Sequence, residues 1–216
     1  MTSKFAEGIA EHYTKRHEHR GNLFGSQPFA NYGYWPRANM TMEEAAEELS
    51  DLVARNASIG PGDRVLDVGC GYGAPAVAYT RKYHPASVIG IDITEIRIKT
   101  GNEHVAKNGL ADVIKLQLGD ATKLDFADAS FNKLIAVECA FHFDTRRDFL
   151  REAGRVLKSG GMISLTDMIP RRGIDPAAYL KGHPTFYSGF CIDNPGNAYD
   201  ADVYAQYLTE SGFTDI

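Results

Sequence analysis

One stretch, residues 64–74, constrains the fold of this 216-residue chain more than any other. A short apolar run at residues 65–68 leads directly into Gly69-Cys-Gly-Tyr-Gly73, and residues with helical spacing follow. This order predicts a buried strand, a glycine-rich turn and a helix. Three glycines at alternate positions allow unusual backbone dihedrals, so the turn can press its amide groups against a ligand where the helix begins. The sequence therefore predicts a bound small metabolite.

Helix and strand signals alternate along the rest of the chain. Thr41 and Glu44 form a capping box, apolar residues then recur at helical spacing, and Gly60-Pro-Gly-Asp63 ends that helix. Strands that are separated by helices need crossover connections, which predicts an α/β fold with a doubly wound, mostly parallel, Rossmann-like sheet. We predict helices over residues 4–19, 41–58, 74–82, 95–108, 145–157 and 200–211, strands over residues 65–68, 87–91, 113–118, 133–138 and 162–166, and a turn at residues 158–161.

The composition excludes several classes of protein. The net charge is -5 and basic residues are interspersed with acids, so no basic face is available for nucleic acid. No apolar run reaches the length that spans a membrane, and three cysteines at unrelated spacings form neither a disulfide framework nor a zinc pattern. His12, His17 and His19 lack a partnering cluster of acids, and we expect them on a solvated basic face rather than at a metal. We expect a cytoplasmic protein without a membrane, metal or nucleic-acid partner.

Each predicted strand ends in a polar residue. The carboxyl ends of parallel strands meet at one edge of a sheet, where doubly wound folds bind their ligands. Asp92 follows Gly73 by 19 residues, the spacing at which a carboxylate accepts the hydroxyl groups of a ribose bound at the first turn. Helix capping is the alternative role of any one carboxylate, whereas all of them together favour a site. The polar residues at this edge are Asp67, Asp92, Asp120, Glu138, His142 and Asp167.

The glycine pattern alone also fits a nicotinamide dinucleotide site, because Ala74 can occupy the final position of that pattern. Three features favour a nucleoside with a charged amino-acid tail instead. Asp67 stands two residues before Gly69 and suits an ammonium group, and Asp120 can accept a hydrogen bond from the amino group of adenine. Neither a second mononucleotide half nor the catalytic Tyr-Lys pair of a hydride-transferring enzyme is evident in the sequence.

The chain resembles class I S-adenosylmethionine-dependent methyltransferases over about residues 65–166. The motifs that carry the resemblance are Val65-Leu-Asp-Val-Gly-Cys-Gly-Tyr-Gly73, Gly90-Ile-Asp92, Gly119-Asp-Ala121 and Arg155-Val-Leu-Lys-Ser-Gly-Gly161. Asn31-Tyr-Gly-Tyr-Trp35 and Phe149-Leu-Arg-Glu-Ala153 resemble the subgroup that methylates small natural products, including sugar O-methyltransferases of antibiotic pathways. The resemblance implies S-adenosylmethionine as the cofactor, S-adenosylhomocysteine as its product and a Rossmann-like class I fold.

The resemblance also implies a domain organisation and a cofactor site. Residues 1–58 would form an N-terminal helical cap over the cofactor, and residues 59–216 a core with a lid insertion at about residues 170–198. Residues 213–216 would begin a further strand, so we expect the chain to stop before the last two strands of that fold. The glycines would wrap the methionine part, and aromatic rings would close over the cofactor. The implied cofactor residues are Asp67, Gly69, Gly71, Gly73, Asp92, Ile93, Asp120, Ala121, Glu138, Tyr13, Tyr32 and Trp35.

Methyl transfer is an in-line displacement, so alignment of the reacting atoms supplies most of the catalysis. A base helps only when the acceptor is a hydroxyl or a protonated amine. His142 lies just beyond the fourth strand, where related O-methyltransferases often place a catalytic histidine, and histidine is the side chain suited to proton removal near neutrality. Asp167 is its expected partner or a second base, and the alternative is that His142 only lines the pocket. The residues expected to contact the acceptor are Phe143, Tyr179, His183, Phe186 and Tyr187.

The leading hypothesis is a methyltransferase that acts on a hydroxyl group of a small secondary metabolite. Methylation of carbon or nitrogen is an alternative, in which His142 would orient the acceptor rather than deprotonate it. A cyclase that binds the cofactor without transferring its methyl group and a nicotinamide oxidoreductase are further alternatives. The sequence leaves open the identity of the acceptor and whether the protein is a monomer or a homo-oligomer.

Overall fold

The computed structural model describes residues 3–18, 26–175, 178, 181–182 and 194–216. The strands are β1 (Arg64–Val68), β2 (Ser87–Asp92), β3 (Ile114–Leu118), β4 (Phe131–Val137) and β5 (Leu157–Thr166). The helices are α1 (Lys4–Glu18), α2 (Met42–Asn56), α3 (Ala74–Tyr83), α4 (Glu95–Lys107), α5 (Arg146–Val156) and α6 (Ala201–Glu210), with short 3-10 helices at Ala140–His142 and Pro195–Asn197.

The five strands form one sheet in the order β3-β2-β1-β4-β5, and every pair is parallel. This confirms the predicted α/β fold with a doubly wound, Rossmann-like sheet. The central strand β1 pairs with β2 on one side and β4 on the other, so the direction of winding reverses between β1 and β4. Ligands of such sheets bind at the carboxyl edge beside this switch point.

Alternating side chains of the central strand supply two separate hydrophobic cores. Val65 of β1 packs in the core formed with α2, α3 and α4, whereas Leu66 and Val68 pack in the core formed with α5 and α6. Both strand faces are therefore covered by helices, as a parallel sheet requires.

Local capping signals fix where several helices begin. Thr41 accepts a hydrogen bond from the Glu44 backbone N–H while the Glu44 carboxylate accepts one from the Thr41 N–H, which confirms the predicted capping box. Thr145 and Asp200 cap α5 and α6 through side-chain oxygens that accept hydrogen bonds from backbone N–H groups. Such caps satisfy donors that a helix cannot pair internally.

Two sequence predictions at the far side of the sheet are wrong. The predicted turn at residues 158–161 lies inside β5, where the pairing with β4 jumps from Leu157 to Met162 and the extra residues form an irregularity. Gly160 lies in this irregularity with a positive φ of 73°, a conformation that glycine adopts at low cost. The predicted strand at residues 213–216 is absent: Phe213 packs against the core, and in the described chain no neighbouring strand offers these residues a ladder.

The first helix packs on the main domain through α4, as its weak amphipathic pattern predicted. Ala6 and Ile9 on its inner side are buried, and Tyr13 continues the same face one turn further. None of the helices in the described ranges is long and apolar enough to cross a membrane.

Candidate active site

The glycine-rich turn after β1 forms the floor of the site. Gly69, Gly71 and Gly73 have φ values of 72°, 55° and 75°, in the left-handed region that disfavours residues with a Cβ. A Cβ on Gly69 would lie 2.6 Å from Cys139, and one on Gly73 would lie 2.8 Å from Leu116. A Cβ on Gly71 would meet no atom within 4 Å, so this position faces open space. The turn therefore exposes backbone at Gly71 and packs tightly at its two neighbours.

A cleft of about 960 Å³, including its mouth, opens above this turn. The cleft combines the carboxyl ends of β1, β2 and β4 with the inner side of α1, which forms its roof. The predicted site residues that line it are Tyr13, Asp67, Gly69, Gly71, Asp92, Ile93, Asp120, Ala121, Glu138, His142 and Phe143.

Asp92 is buried at the end of β2 and organises the turn. Its Oδ1 accepts a hydrogen bond from the Thr94 N–H at 2.8 Å, and its Oδ2 accepts one from the Gly71 N–H at 3.1 Å. The hydroxyl of Thr94, the residue that precedes α4, makes no capping hydrogen bond. Each carboxylate oxygen still has capacity for a further donor, because a carboxylate offers about four lone-pair sites.

Asp67 is the most strongly perturbed acid of the cleft. It is buried at the end of β1, where desolvation raises the pKa of its carboxyl to about 7, despite a hydrogen bond from the Tyr79 hydroxyl at 3.2 Å. A buried carboxyl with this pKa is a good candidate for pairing with a ligand cation. Asp120 is tied instead to Thr122, whose N–H and hydroxyl both donate to Oδ1.

The structure brings Tyr13 to His142 across 129 residues of sequence. The Tyr13 hydroxyl lies 2.6 Å from His142 Nε2, and the two rings meet edge to face. Burial raises the pKa of Tyr13 to about 12, so its hydroxyl stays protonated near neutral pH and can donate to Nε2. Sequence reasoning placed Tyr13 over the cofactor and did not find this pair, because periodicity carries no information about such a distant contact.

Arg97 and Tyr72 are further cleft residues that the sequence analysis missed, and His17 contacts Tyr72. The Arg97 guanidinium lies 3.7 Å from the centre of the Tyr13 ring and 5.3 Å from that of Tyr72. His17 Nδ1 lies 3.0 Å from the Tyr72 hydroxyl, so the expectation of a solvated histidine face on α1 is wrong for His17. The one available signal was a lone arginine in the first turn of the helix that follows Asp92.

Three predicted cofactor residues are not among those lining the cleft. Gly73 caps the start of α3 and packs on Leu116. Tyr32 and Trp35 have 43% and 47% of their surface exposed. The backbone of Tyr32 reaches the site all the same, since its N–H donates to Glu138 Oε2 at 2.6 Å.

Asp167 lies away from His142 in a buried ion pair with Arg146. Arg146 Nε and Nη2 donate to the two Asp167 oxygens at 2.7 Å and 3.1 Å, and the side chains are only 3% and 5% exposed. Arg146 also donates to the backbone carbonyls of Asn197 and Met168. This geometry makes Asp167 a link between β5, α5 and the Pro195–Asn197 turn.

The expected acceptor residues Tyr179, His183, Phe186 and Tyr187 lie outside the described residues, as does His19. Most of the predicted lid at residues 170–198 is outside as well. Phe143 lines the cleft beside His142 and packs edge to face on Phe149. No group of three potential metal ligands occurs in the described ranges.

Comparison with known proteins places this geometry in context. Residues 66–165 match the family of methyltransferase domains. The chain is 32% identical to erythromycin 3''-O-methyltransferase of Saccharopolyspora erythraea, over 87% of this chain and 62% of that protein. It is 31% identical to methyltransferase GfsG of Streptomyces halstedii, over 98% of this chain and 74% of that protein. The crystal structure of the [4+2]-cyclase SpnF superposes with a TM-score of 0.77 at 23% identity, covering 96% of this chain and 72% of that one, a likeness of fold.

Proposed function

We propose that this chain, which belongs to the class I S-adenosylmethionine-dependent methyltransferases, transfers a methyl group from S-adenosylmethionine to a hydroxyl of a small secondary metabolite. The observation that carries the proposal is that one cleft joins the glycine turn and Asp92 to a Tyr13–His142 pair. The similarity to erythromycin 3''-O-methyltransferase supports it, since that protein is named for O-methylation of a small molecule. The free thiols of Cys70 and Cys139 support work in a reducing compartment such as the cytoplasm.

The residues of the cleft fit the cofactor. Open space at Gly71 can receive the amino-acid part, and the buried carboxyl of Asp67 can pair with its ammonium group. The remaining acceptor capacity of Asp92 suits the two ribose hydroxyls. The backbone at Asp120 and Ala121 lies at the same edge and can border the adenine. When bound, S-adenosylmethionine supplies an electrophilic methyl group and takes the electron pair of the broken C–S bond.

The Tyr13–His142 pair can remove the proton of the acceptor hydroxyl. The acceptor O–H would donate to the Tyr13 oxygen while the Tyr13 proton moves to His142 Nε2, 2.6 Å away. The acceptor oxygen then forms the new C–O bond with its freed electron pair, and His142 ends as an imidazolium. Tyr13 is neutral before and after the step, which suits a phenol whose pKa is raised to about 12 by burial.

The test is turnover by the purified chain with S-adenosylmethionine and a panel of hydroxylated polyketides and glycosides. We expect S-adenosylhomocysteine and a product heavier by one methylene unit. His142→Asn should lower kcat by about 10²-fold or more, the usual contribution of a general base. His84→Asn is the matched control, because His84 is exposed and its positive φ of 54° is tolerated by Asn.

Other results would favour the alternative functions. Full turnover by the His142→Asn variant, with methylation at carbon or nitrogen, would contradict a role in deprotonation. A rearranged product of unchanged mass, formed without S-adenosylhomocysteine, would indicate a cyclase. Tight binding of a nicotinamide dinucleotide with no binding of S-adenosylhomocysteine, measured by calorimetry, would refute the cofactor assignment.

A further inference from the structure

Arg97 is a buried cation without a full set of partners. Its side chain is 12% exposed, and its Nε is buried with no hydrogen-bond acceptor among the described residues. Its Nη1 lies 3.7 Å from Asp92 Oδ2, close enough for an ion pair but beyond a direct hydrogen bond. A guanidinium that is desolvated and lacks some of its hydrogen-bond partners lowers the stability of the fold. Its presence beside the cleft therefore calls for a functional explanation.

Tyr13 receives two contacts that act on different parts of its side chain. Arg97 covers the ring at 3.7 Å from the centroid, and His142 Nε2 meets the hydroxyl at 2.6 Å. The hydroxyl oxygen is held rigidly in the plane of the ring, so a cation that fixes the ring also fixes the position of that oxygen relative to His142. Stacking of a desolvated guanidinium on an aromatic face is favourable.

The contacts therefore run in sequence from the cofactor edge to the base: Asp92, Arg97, Tyr13 and His142. We propose that Arg97 is a positioning residue that holds Tyr13 over the cleft and thereby aims its hydroxyl at His142, while remaining the ionic partner of the carboxylate assigned to the ribose. The 3.7 Å separation from Asp92 leaves room for donors on that carboxylate, so Arg97 need not leave when a diol binds. This inference rests on the proposed function and adds a coupling between cofactor and base.

A double-mutant cycle with Arg97→Met and Tyr13→Phe tests the inference. Arg97→Met removes the cation but keeps an apolar stem, and Tyr13→Phe keeps the ring but removes the hydroxyl. We expect Arg97→Met to lower kcat by about tenfold to thirtyfold in the wild-type background, the equivalent of one buried cation–π contact, and to change KM for the acceptor less. In the Tyr13→Phe background, the same change should lower kcat by less than about threefold.

A spectroscopic readout makes the test independent of turnover. The 15N shift of His142 Nε2 reports its hydrogen bond, with and without S-adenosylhomocysteine. We expect Arg97→Met to move this signal toward the value found in Tyr13→Phe, and Arg97→Lys, which keeps the charge, to recover part of the change. Lys99→Met, an exposed position on the same helix, is the control and should leave the signal in place.

Several results would overturn the inference. Additive losses of kcat in the cycle, an unmoved His142 signal in folded Arg97→Met, or an Arg97→Lys variant as impaired as Arg97→Met would each show that Arg97 does not act through Tyr13. If wild-type protein transfers no methyl group, the proposed function fails, but the His142 signal still decides whether Arg97 orients the pair.

Discussion

Replacing Asp167 by asparagine should cost stability rather than catalysis. The Arg146–Asp167 pair is nearly inaccessible to water and is joined by two hydrogen bonds of 2.7 Å and 3.1 Å. Removal of one partner from a buried pair costs about 3 to 5 kcal/mol, because the other charge remains uncompensated. We expect the lower end of this range, since Arg146 keeps the carbonyls of Asn197 and Met168 as acceptors. For a domain of this size, about 3 kcal/mol corresponds to a fall in Tm of about 6 to 12 °C.

Urea denaturation followed by circular dichroism measures this loss. Glu210→Gln is the matched control, because it breaks the exposed Arg147–Glu210 pair at 3.1 Å and should change the free energy of unfolding by less than about 1 kcal/mol. At a temperature where Asp167→Asn is folded, we expect kcat within about threefold of wild type, in contrast to the loss of about 10²-fold in His142→Asn. A folded Asp167→Asn protein with the turnover of His142→Asn would refute this reasoning and restore Asp167 as a base.

Three further outcomes follow from single residues of the cleft. Burial raises the pKa of Asp67 to about 7, so the native state keeps a proton that the unfolded state loses near the ordinary pKa of 3.8. The free energy of unfolding should therefore fall as pH rises between these two values. Asp67→Asn should abolish this part of the pH dependence, as measured by urea titrations at several pH values. Gly71 and Gly109 both have a positive φ and open space where a Cβ would lie. Gly71→Ala and Gly109→Ala should each lower the free energy of unfolding by about 1 kcal/mol. Only Gly71→Ala should weaken S-adenosylhomocysteine binding in calorimetry. Trp35→Ala should leave that affinity within about twofold of wild type, because Trp35 is 47% exposed and is not among the residues that line the cleft. A tenfold loss would place the ring over the cofactor.

Secondary structure that is determined by residues close together in the sequence was predictable. The strand, turn and helix of residues 64–83 follow from an apolar run, three glycines and helical spacing, and each boundary agrees with the structure within about one residue. The capping box at Thr41 was equally local. The end of each parallel strand then placed Asp67, Asp92 and Asp120 at one edge without knowledge of any contact. Periodicity and topology together were sufficient to place these three acids at the carboxyl edge of the sheet.

Contacts between distant residues were not predictable in this way. The partner of Asp167 is an arginine 21 residues earlier, and the partner of His142 is a tyrosine 129 residues earlier. Judged by charge alone, His142 and Arg146 were equally reasonable partners for Asp167. The choice is made by packing, because the start of α5 lies against the end of β5, which a single sequence does not reveal.

The extent of the family match explains why the sequence motifs did not include the residues of α1 that form the roof of the site. Residues 66–165 include the glycine turn, Asp92 and His142, whereas Tyr13 and His17 lie on α1 outside the matched region. A similar fold is found in a protein named as a cyclase, so the fold alone does not determine the reaction. What distinguishes one chemistry from another must be carried by the groups placed above that edge. In this chain those groups include His142 and a tyrosine that the first helix brings to it and that Arg97 covers. Under the proposed function, the reaction therefore depends on how α1 is docked as well as on the cofactor motifs.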